Sequence, residues 1–391
     1  MRILAFEYRD ADGWTLEPLK LSAFNLLVGV SGAGKTRIVR AIERICAVAL
    51  GTKDAEGARG ARFAIDFEHD GHACRWEAEL EPQVWPPRED NGVTVLDEPP
   101  LIRSERLEQG GKPLVERTTE RFLFNGQELP RLDRAKSAIA ILKEDPAMTP
   151  LHVAFSRCIY RALDHMPNHG SQTAASLEKH RRQYGSVAAL GADFSHSLHD
   201  KAYLLQQLFP ESFAEIKEAF REAFPSVIDL GVWQVYDREP DLPDVDRTFL
   251  TFITAVEDGV EHPSPFDGIP FSGMSSGMQR YLSFLVHLSF APRGTVVLID
   301  ELESSFGINC LPAATHFLLS RAPDLQLILT SHHPYIIEQI PPDHWKIVTR
   351  KGSHVRVLDA AAIPALEEDR SRLDRFTRLI NLPEYEQGIQ A

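Results

Sequence analysis

The chain has 391 residues, 43% of them hydrophobic and 25% charged, and its 42 Lys and Arg against 56 Asp and Glu give a formal net charge of −14. These are the proportions of a globular chain with enough length for one large or two ordinary cores. The acidity excludes a surface that wraps nucleic acid non-specifically, which needs clustered Lys and Arg, although it leaves room for a local basic groove.

The longest apolar runs, such as Tyr281 to Phe290, are shorter than a membrane span and carry a histidine. The first residues, with Arg2, Glu7, Arg9 and Asp10, lack the apolar centre of a signal peptide, so a cytoplasmic location without a membrane partner is expected. Cys46, Cys74, Cys158 and Cys310 are far apart and form no C-x-x-C pair; they are read as reduced and partly buried.

In chain order, alternating residues predict strands over Arg2–Tyr8, Trp14–Lys20 and Phe24–Val28, with a turn at Asp10–Gly13 between the first two. Then comes Gly29-Val30-Ser31-Gly32-Ala33-Gly34-Lys35-Thr36, which satisfies G-x-x-x-x-G-K-[ST] after a strand and before a helical pattern over Lys35–Leu50. Such a loop binds phosphate because its glycines let main-chain N–H groups curl inward, at a helix end whose own amides and dipole favour an anion. Gly29, Ser31, Gly32, Ala33, Gly34, Lys35, Thr36 and Arg37 are therefore candidate nucleotide-binding residues, with Lys35 on the β/γ-phosphates and the Thr36 hydroxyl on Mg²⁺.

Residues 61–124 alternate as an antiparallel sheet, as in Phe63–Glu68 and Cys74–Glu79, and from Lys136 to about Pro225 the period becomes helical. The histidines of this stretch, among them His165 and His169 at i, i+4, have no Cys or carboxylate partner at ligand spacing, and Pro167 falls between them, so a metal reading is not adopted. Lys179-His180-Arg181-Arg182 reads as a solvated helix face. Further strands are expected near Val227–Tyr236 and Thr248–Glu257.

Three further motifs stand between Phe271 and Pro334. Met274-Ser275-Ser276-Gly277-Met278 is a small-residue turn before a helix, a second potential anion site. The apolar run Thr295–Ile299 ends in Asp300 and Glu301, the form needed to hold Mg²⁺ and to activate a water. Leu327–Thr330 delivers Ser331 and His332 to the end of another buried strand, where ligands of parallel sheets collect. A helical period from Ala365 to Ile380 is read as a packed terminal helix.

This order of P-loop, Ser-Ser-Gly turn, Asp-Glu strand and Ser-His strand resembles the ABC-type ATPases, in particular the soluble branch of RecF, SMC and OLD-type proteins classed as AAA-15/21. The resemblance covers about residues 1–50 and 265–340. It implies an α/β, ABC-type P-loop ATPase fold with an antiparallel β lobe, a core parallel sheet and an inserted helical subdomain, divided at residues 1–135, 136–226 and 227–391. It further implies ATP with Mg²⁺ held by Thr36 and Asp300, Glu301 as base and His332 as switch histidine. Ser275, Ser276 and Gly277 would form the signature that meets the ATP of a second subunit in a head-to-tail dimer, which could assemble further.

Several residues depart from that pattern. Ser31 stands where the family often has Asn, the signature reads Ser-Ser-Gly-Met, and Leu302–Gly307 replaces the usual sequence after the acidic pair. Gln127 is the candidate for the family's Q-loop glutamine, and GTP is disfavoured because no Asn-Lys-x-Asp motif occurs. The roughly 240 residues between Lys35 and Ser275 are too many for a compact transporter cassette and lack the heptads of a coiled-coil arm. The sixty or so residues after His332 are too few for an OLD-type nuclease domain. The chain thus resembles the ATPase subunits of PARIS- and Septu-type anti-phage systems, with an effector nuclease as a separate partner; a RecF- or SMC-like DNA repair clamp is the alternative.

Overall fold

The computed structural model describes all residues except 83–88, 91–92, 95–99, 161–170, 237–247, 259–267, 308, 364–365, 367–371, 387 and 391, so His165, His169 and part of the stretch from Ala365 lie outside it. Two compact units emerge: residues 1–159, 294–302 and 326–391 form the first, and residues 160–293 and 303–325 the second. The second is therefore inserted twice into the sequence of the first.

The first unit is built on one 15-stranded mixed sheet. Its antiparallel half runs from the outermost strand Gln127–Leu129 through Phe122–Phe124, Lys112–Arg117, Ile102–Gln109, His72–Leu80 and Arg62–His69 to Arg2–Arg9 and Thr15–Lys20. Beyond the hairpin Trp345–Lys351/His354–Asp359, the sheet continues as parallel strands Phe24–Val28, Gln326–Thr330, Val296–Ile299 and Cys158–Ile159. Every residue of Phe24–Val28, Val296–Ile299 and Gln326–Thr330 is buried, as expected of parallel strands covered on both faces, and this explains their unbroken apolar runs. The fold class anticipated from the sequence, α/β with an antiparallel lobe beside a parallel core, is the one observed.

Helix Lys35–Leu50 buries Ile38, Val39, Ile42, Ile45 and Cys46, and Gly51 ends it in the left-handed conformation. A second core lies under the antiparallel half, where Phe67 and Trp76 each meet Phe155 edge-on with ring centroids 5.3 Å apart. This packing, with the pairing of Cys158–Ile159 on Val296–Val297, places residues 136–159 in the first unit rather than at the start of a helical insertion, so the boundary falls near residue 160 instead of 136.

The second unit combines helices Ala174–Gln183, Val187–Gly191, Leu198–Leu208, Pro210–Ala223, Ser276–Leu288 and Leu311–Arg321 with a small antiparallel sheet around Thr248–Glu257. Strands Val227–Tyr236 and Thr248–Glu257 have the bounds read from the sequence, but their residues Leu230, Val232, Ile253 and Ala255 share a core with the helices. The sequence boundary at 226 therefore runs through a single compact body. Among the described residues no helix is long and apolar enough to cross a membrane.

Candidate functional site

In the first unit, the parallel registers bring the carboxyl ends of three strands level: Leu27 stands opposite Thr330, and Ile299 opposite Leu329. The residues that leave these three strand ends must then share one edge of the sheet. They are the glycine-rich loop from Gly29, the pair Asp300-Glu301, and Ser331-His332.

The loop is shaped by close packing. A Cβ on Gly29 would lie 2.5 Å from the carbonyl oxygen of Val348, so only glycine lets the two strands approach this closely. Gly34 caps helix Lys35–Leu50 at φ +111 with no side-chain hydrogen bond to the first turn, leaving the helix end to its own backbone amides. Lys35 is 4% exposed and its ammonium donates to the carbonyl oxygens of Gly29 at 2.7 Å and Val30 at 3.1 Å, which lays it along the inner wall of the loop. Ser31 and Gly32 form its exposed tip, whereas Ala33 is buried.

Asp300 is the meeting point. Its Oδ1 accepts hydrogen bonds from the Thr36 hydroxyl at 3.1 Å and from the Thr330 hydroxyl at 2.7 Å. The Thr330 oxygen in turn accepts from the backbone N–H of Glu301 at 2.7 Å. Glu301 is exposed and takes φ +48, a left-handed conformation that costs a non-glycine residue about 1–2 kcal/mol and is held in place by that N–H. His332 is exposed just beyond Thr330, and the hydroxyl of buried Ser331 accepts from the His333 N–H at 3.1 Å.

The carboxylate of Asp300 and the hydroxyl of Thr36 are hard oxygen donors facing one point, a pair that suits Mg²⁺ completing its shell with phosphate and water. Among the described residues no three His, Cys, Asp or Glu side chains converge into a metal site of their own.

Two sequence expectations find different surroundings. Arg37 pairs with Asp10 and, at 2.7 Å, with Asp12, and stacks over Trp14 at 4.9 Å from the ring centroid, so its charge is engaged by the first hairpin turn. The Asp12 carboxyl is held at about 2, well below its usual range, by hydrogen bonds from the Asp10 side and then from Arg37. Gln127 is a correction: it lies in the outermost strand, ten strand positions along the sheet from Phe24–Val28, because the hairpin after Phe124 extends the antiparallel edge. Thr330, by contrast, reads in the sequence only as part of a strand. The signal available is its position as the last residue of a buried strand, level with Asp300.

In the second unit, Ser275 is the N-cap of helix Ser276–Leu288, its hydroxyl accepting from the Met278 N–H at 3.3 Å. The Ser276 hydroxyl donates to the carbonyl of Ser305 at 2.9 Å, and a Cβ on Gly277 would sit 3.1 Å from the Cys310 sulfur. Arg280 donates to the carbonyl of Ser304 and lies 5.5 Å from the Phe306 ring centroid. The turn is thus fastened to Ser304, Ser305, Phe306 and Cys310. In the same unit Arg181 and Arg182 both pair with Glu178, at 3.7 and 3.3 Å.

Residues 170–338, less than half of the chain, match a family described as "AAA domain, putative AbiEii toxin, Type IV TA system"; the matched stretch holds Ser275–Gly277, Asp300, Glu301 and His332. Two solved structures are similar over 92% of this chain. One is an Smc head bound to the C-winged helix domain of ScpA, with 13% identity, a TM-score of 0.48 and 97% of that chain covered. The other is an SMC head domain from Thermotoga maritima, with 13% identity, a TM-score of 0.42 and 99% covered. No curated protein matches the chain.

Proposed function

We propose that this protein is an ABC-type ATPase that binds ATP with Mg²⁺ and hydrolyses it slowly as a regulatory step. The observation that carries this reading is the convergence of Thr36, Asp300 and Thr330 beside the Gly29–Thr36 loop, at the carboxyl ends of parallel strands. Lys35 and the loop amides would hold the β- and γ-phosphates, and Thr36 with Asp300 would hold the metal, which when bound neutralises charge on the phosphoryl oxygens. Glu301, exposed next to that point, would orient and deprotonate the attacking water, and His332 would contact the terminal phosphate. Ser275, Ser276 and Gly277 would serve the ATP of a second copy in a head-to-tail dimer.

We further read the protein as a cytoplasmic, ATP-gated scaffold that controls a separate effector, a nuclease, in anti-phage defence. The partial match to a family whose description names a toxin of a type IV toxin–antitoxin system supports this reading.

Glu301→Gln should still bind ATP, lose at least about 100-fold in turnover and accumulate as a dimer in light scattering, while Lys35→Ala should lose binding. Turnover by Glu301→Gln equal to wild type would remove Glu301 as the base. Capture of tagged Glu301→Gln with ATP from its native cells tests the finer reading: a stoichiometric nuclease or toxin-like protein supports the scaffold, whereas DNA with repair proteins overturns it.

A further inference from the structure

The glycine-rich loop is packed against residues that come more than 300 positions later in the chain. Gly29 is closed by the Val348 carbonyl, and Gly34 faces Val355, with 3.3 Å between its notional Cβ and Cγ2. The exposed tip has a support of its own. Ile389 and Gln390 pair in parallel with Arg350 and Lys351, and the Gly388 carbonyl accepts from the Arg350 N–H at 2.7 Å. This sets Ile389 Cδ1 3.4 Å from the Cβ position of Gly32 and Val30 Cγ2 3.0 Å from that of Gly388. Ile389 is 41% exposed, so it keeps an apolar side chain at the surface whose Cδ1 faces the loop tip. Just upstream, helix Pro383–Glu386 anchors the segment through the hydrogen bond from the Gly388 N–H to the Tyr385 carbonyl at 3.1 Å and through the buried Leu382.

We propose that Gly388–Gln390 is a strap that holds the phosphate loop in its nucleotide-binding shape, with Ile389 as a positioning residue for ATP capture. The proposal rests on the ATP reading above. A loop tip already ordered by a neighbouring strand loses less conformational freedom when phosphate binds, so the strap acts on affinity and not on the chemical step. A two-residue strand at the surface adds little to global stability, which separates the two roles.

The test is equilibrium binding of a fluorescent ATP analogue with Mg²⁺, together with steady-state hydrolysis, in Ile389→Ser, Gly388→Val and Ile389→Leu. Ile389→Ser removes the contact with Gly32, and Gly388→Val drives a side chain into Val30 and the Tyr385 carbonyl, whose oxygen would lie 2.9 Å from the new Cβ. Both should weaken binding about five-fold and raise KM in proportion with kcat unchanged, Ile389→Ser should keep the wild-type melting temperature, and Ile389→Leu should restore affinity. Wild-type affinity in both Ile389→Ser and Gly388→Val overturns the strap, and so does tighter binding, which would make the segment a cover. A wild-type protein that binds no analogue overturns the ATP reading itself.

Discussion

The hydroxyl of Thr330 does two things at once: it donates to Asp300 at 2.7 Å and accepts from the Glu301 N–H at 2.7 Å. It therefore fixes both the carboxylate that would hold the metal and the strained backbone that aims the proposed base. Thr330→Val keeps the shape of the buried strand end and deletes both bonds. ATP turnover should fall about 10- to 100-fold, with a higher Mg²⁺ requirement and little change in ATP affinity, and Thr330→Ser should recover most of the loss. A magnesium titration of the steady-state rate measures this, and a Thr330→Val enzyme with the wild-type profile would show that Asp300 needs no such support. Thr330 also marks the limit of what residue type carries in the sequence. The acid pair and the histidine carry chemistry in their residue types, whereas a threonine at a strand end becomes informative only once the register sets it opposite Leu27. Arg37 gives the converse case, since its place after Thr36 suggests a ligand contact, while Asp10, Asp12 and Trp14 reach it across a hairpin.

The elements that were legible in the sequence are those whose signal is local. Strand Phe24–Val28, helix Lys35–Leu50 and strands Val227–Tyr236 and Thr248–Glu257 appear at the expected bounds because apolar period, Gly51 and the flanking turns act within a few residues. The partners of those elements were not legible. The strands beside Phe24–Val28 are Trp345–Lys351 and Gln326–Thr330, and no local pattern announces neighbours about 300 residues away. That pairing has a measurable consequence at Gly29, whose φ of +154 and 2.5 Å approach to the Val348 carbonyl leave no volume for a methyl group. Gly29→Ala should destabilise the first unit by about 2–4 kcal/mol, because backbone on both sides has to move, and should abolish nucleotide binding. Thermal melting with and without ATP would show both effects, and a variant that melts and binds as wild type would mean that the two strands separate at little cost.

Across the whole molecule, ionisable side chains whose burial outweighs any nearby opposite charge should make stability depend on pH. His287 is 2% exposed in the second unit, and its Nδ1 has no hydrogen-bond partner among the described residues. Burial, then the nearby charges of Lys201 and His196, pushes it down to about 3 from 6.5. Lys201 is 1% exposed, donates to the carbonyls of Gly191 and Asp193, and is brought down by burial to about 8 from 10.5, with the Asp193 charge opposing the shift. For both groups the unfolded chain binds more protons than the folded one over the window between the two pKa values, so stability rises with pH across each window. Acidification from pH 7 to pH 5 should accordingly cost about 2 kcal/mol through His287 alone, since protonation there favours the unfolded state. His287→Leu should flatten this limb while leaving the rise between about pH 8 and 10.5 intact, and Lys201→Met should do the reverse. Urea midpoints of the full chain at pH 5, 7, 8.5 and 10 separate the two contributions. An acid limb of the same slope in His287→Leu would assign it to other histidines lowered by burial, such as His196, and not to the Asp12 carboxyl bound to Arg37, whose depressed pKa withdraws stability only as pH falls from about 4 towards 2.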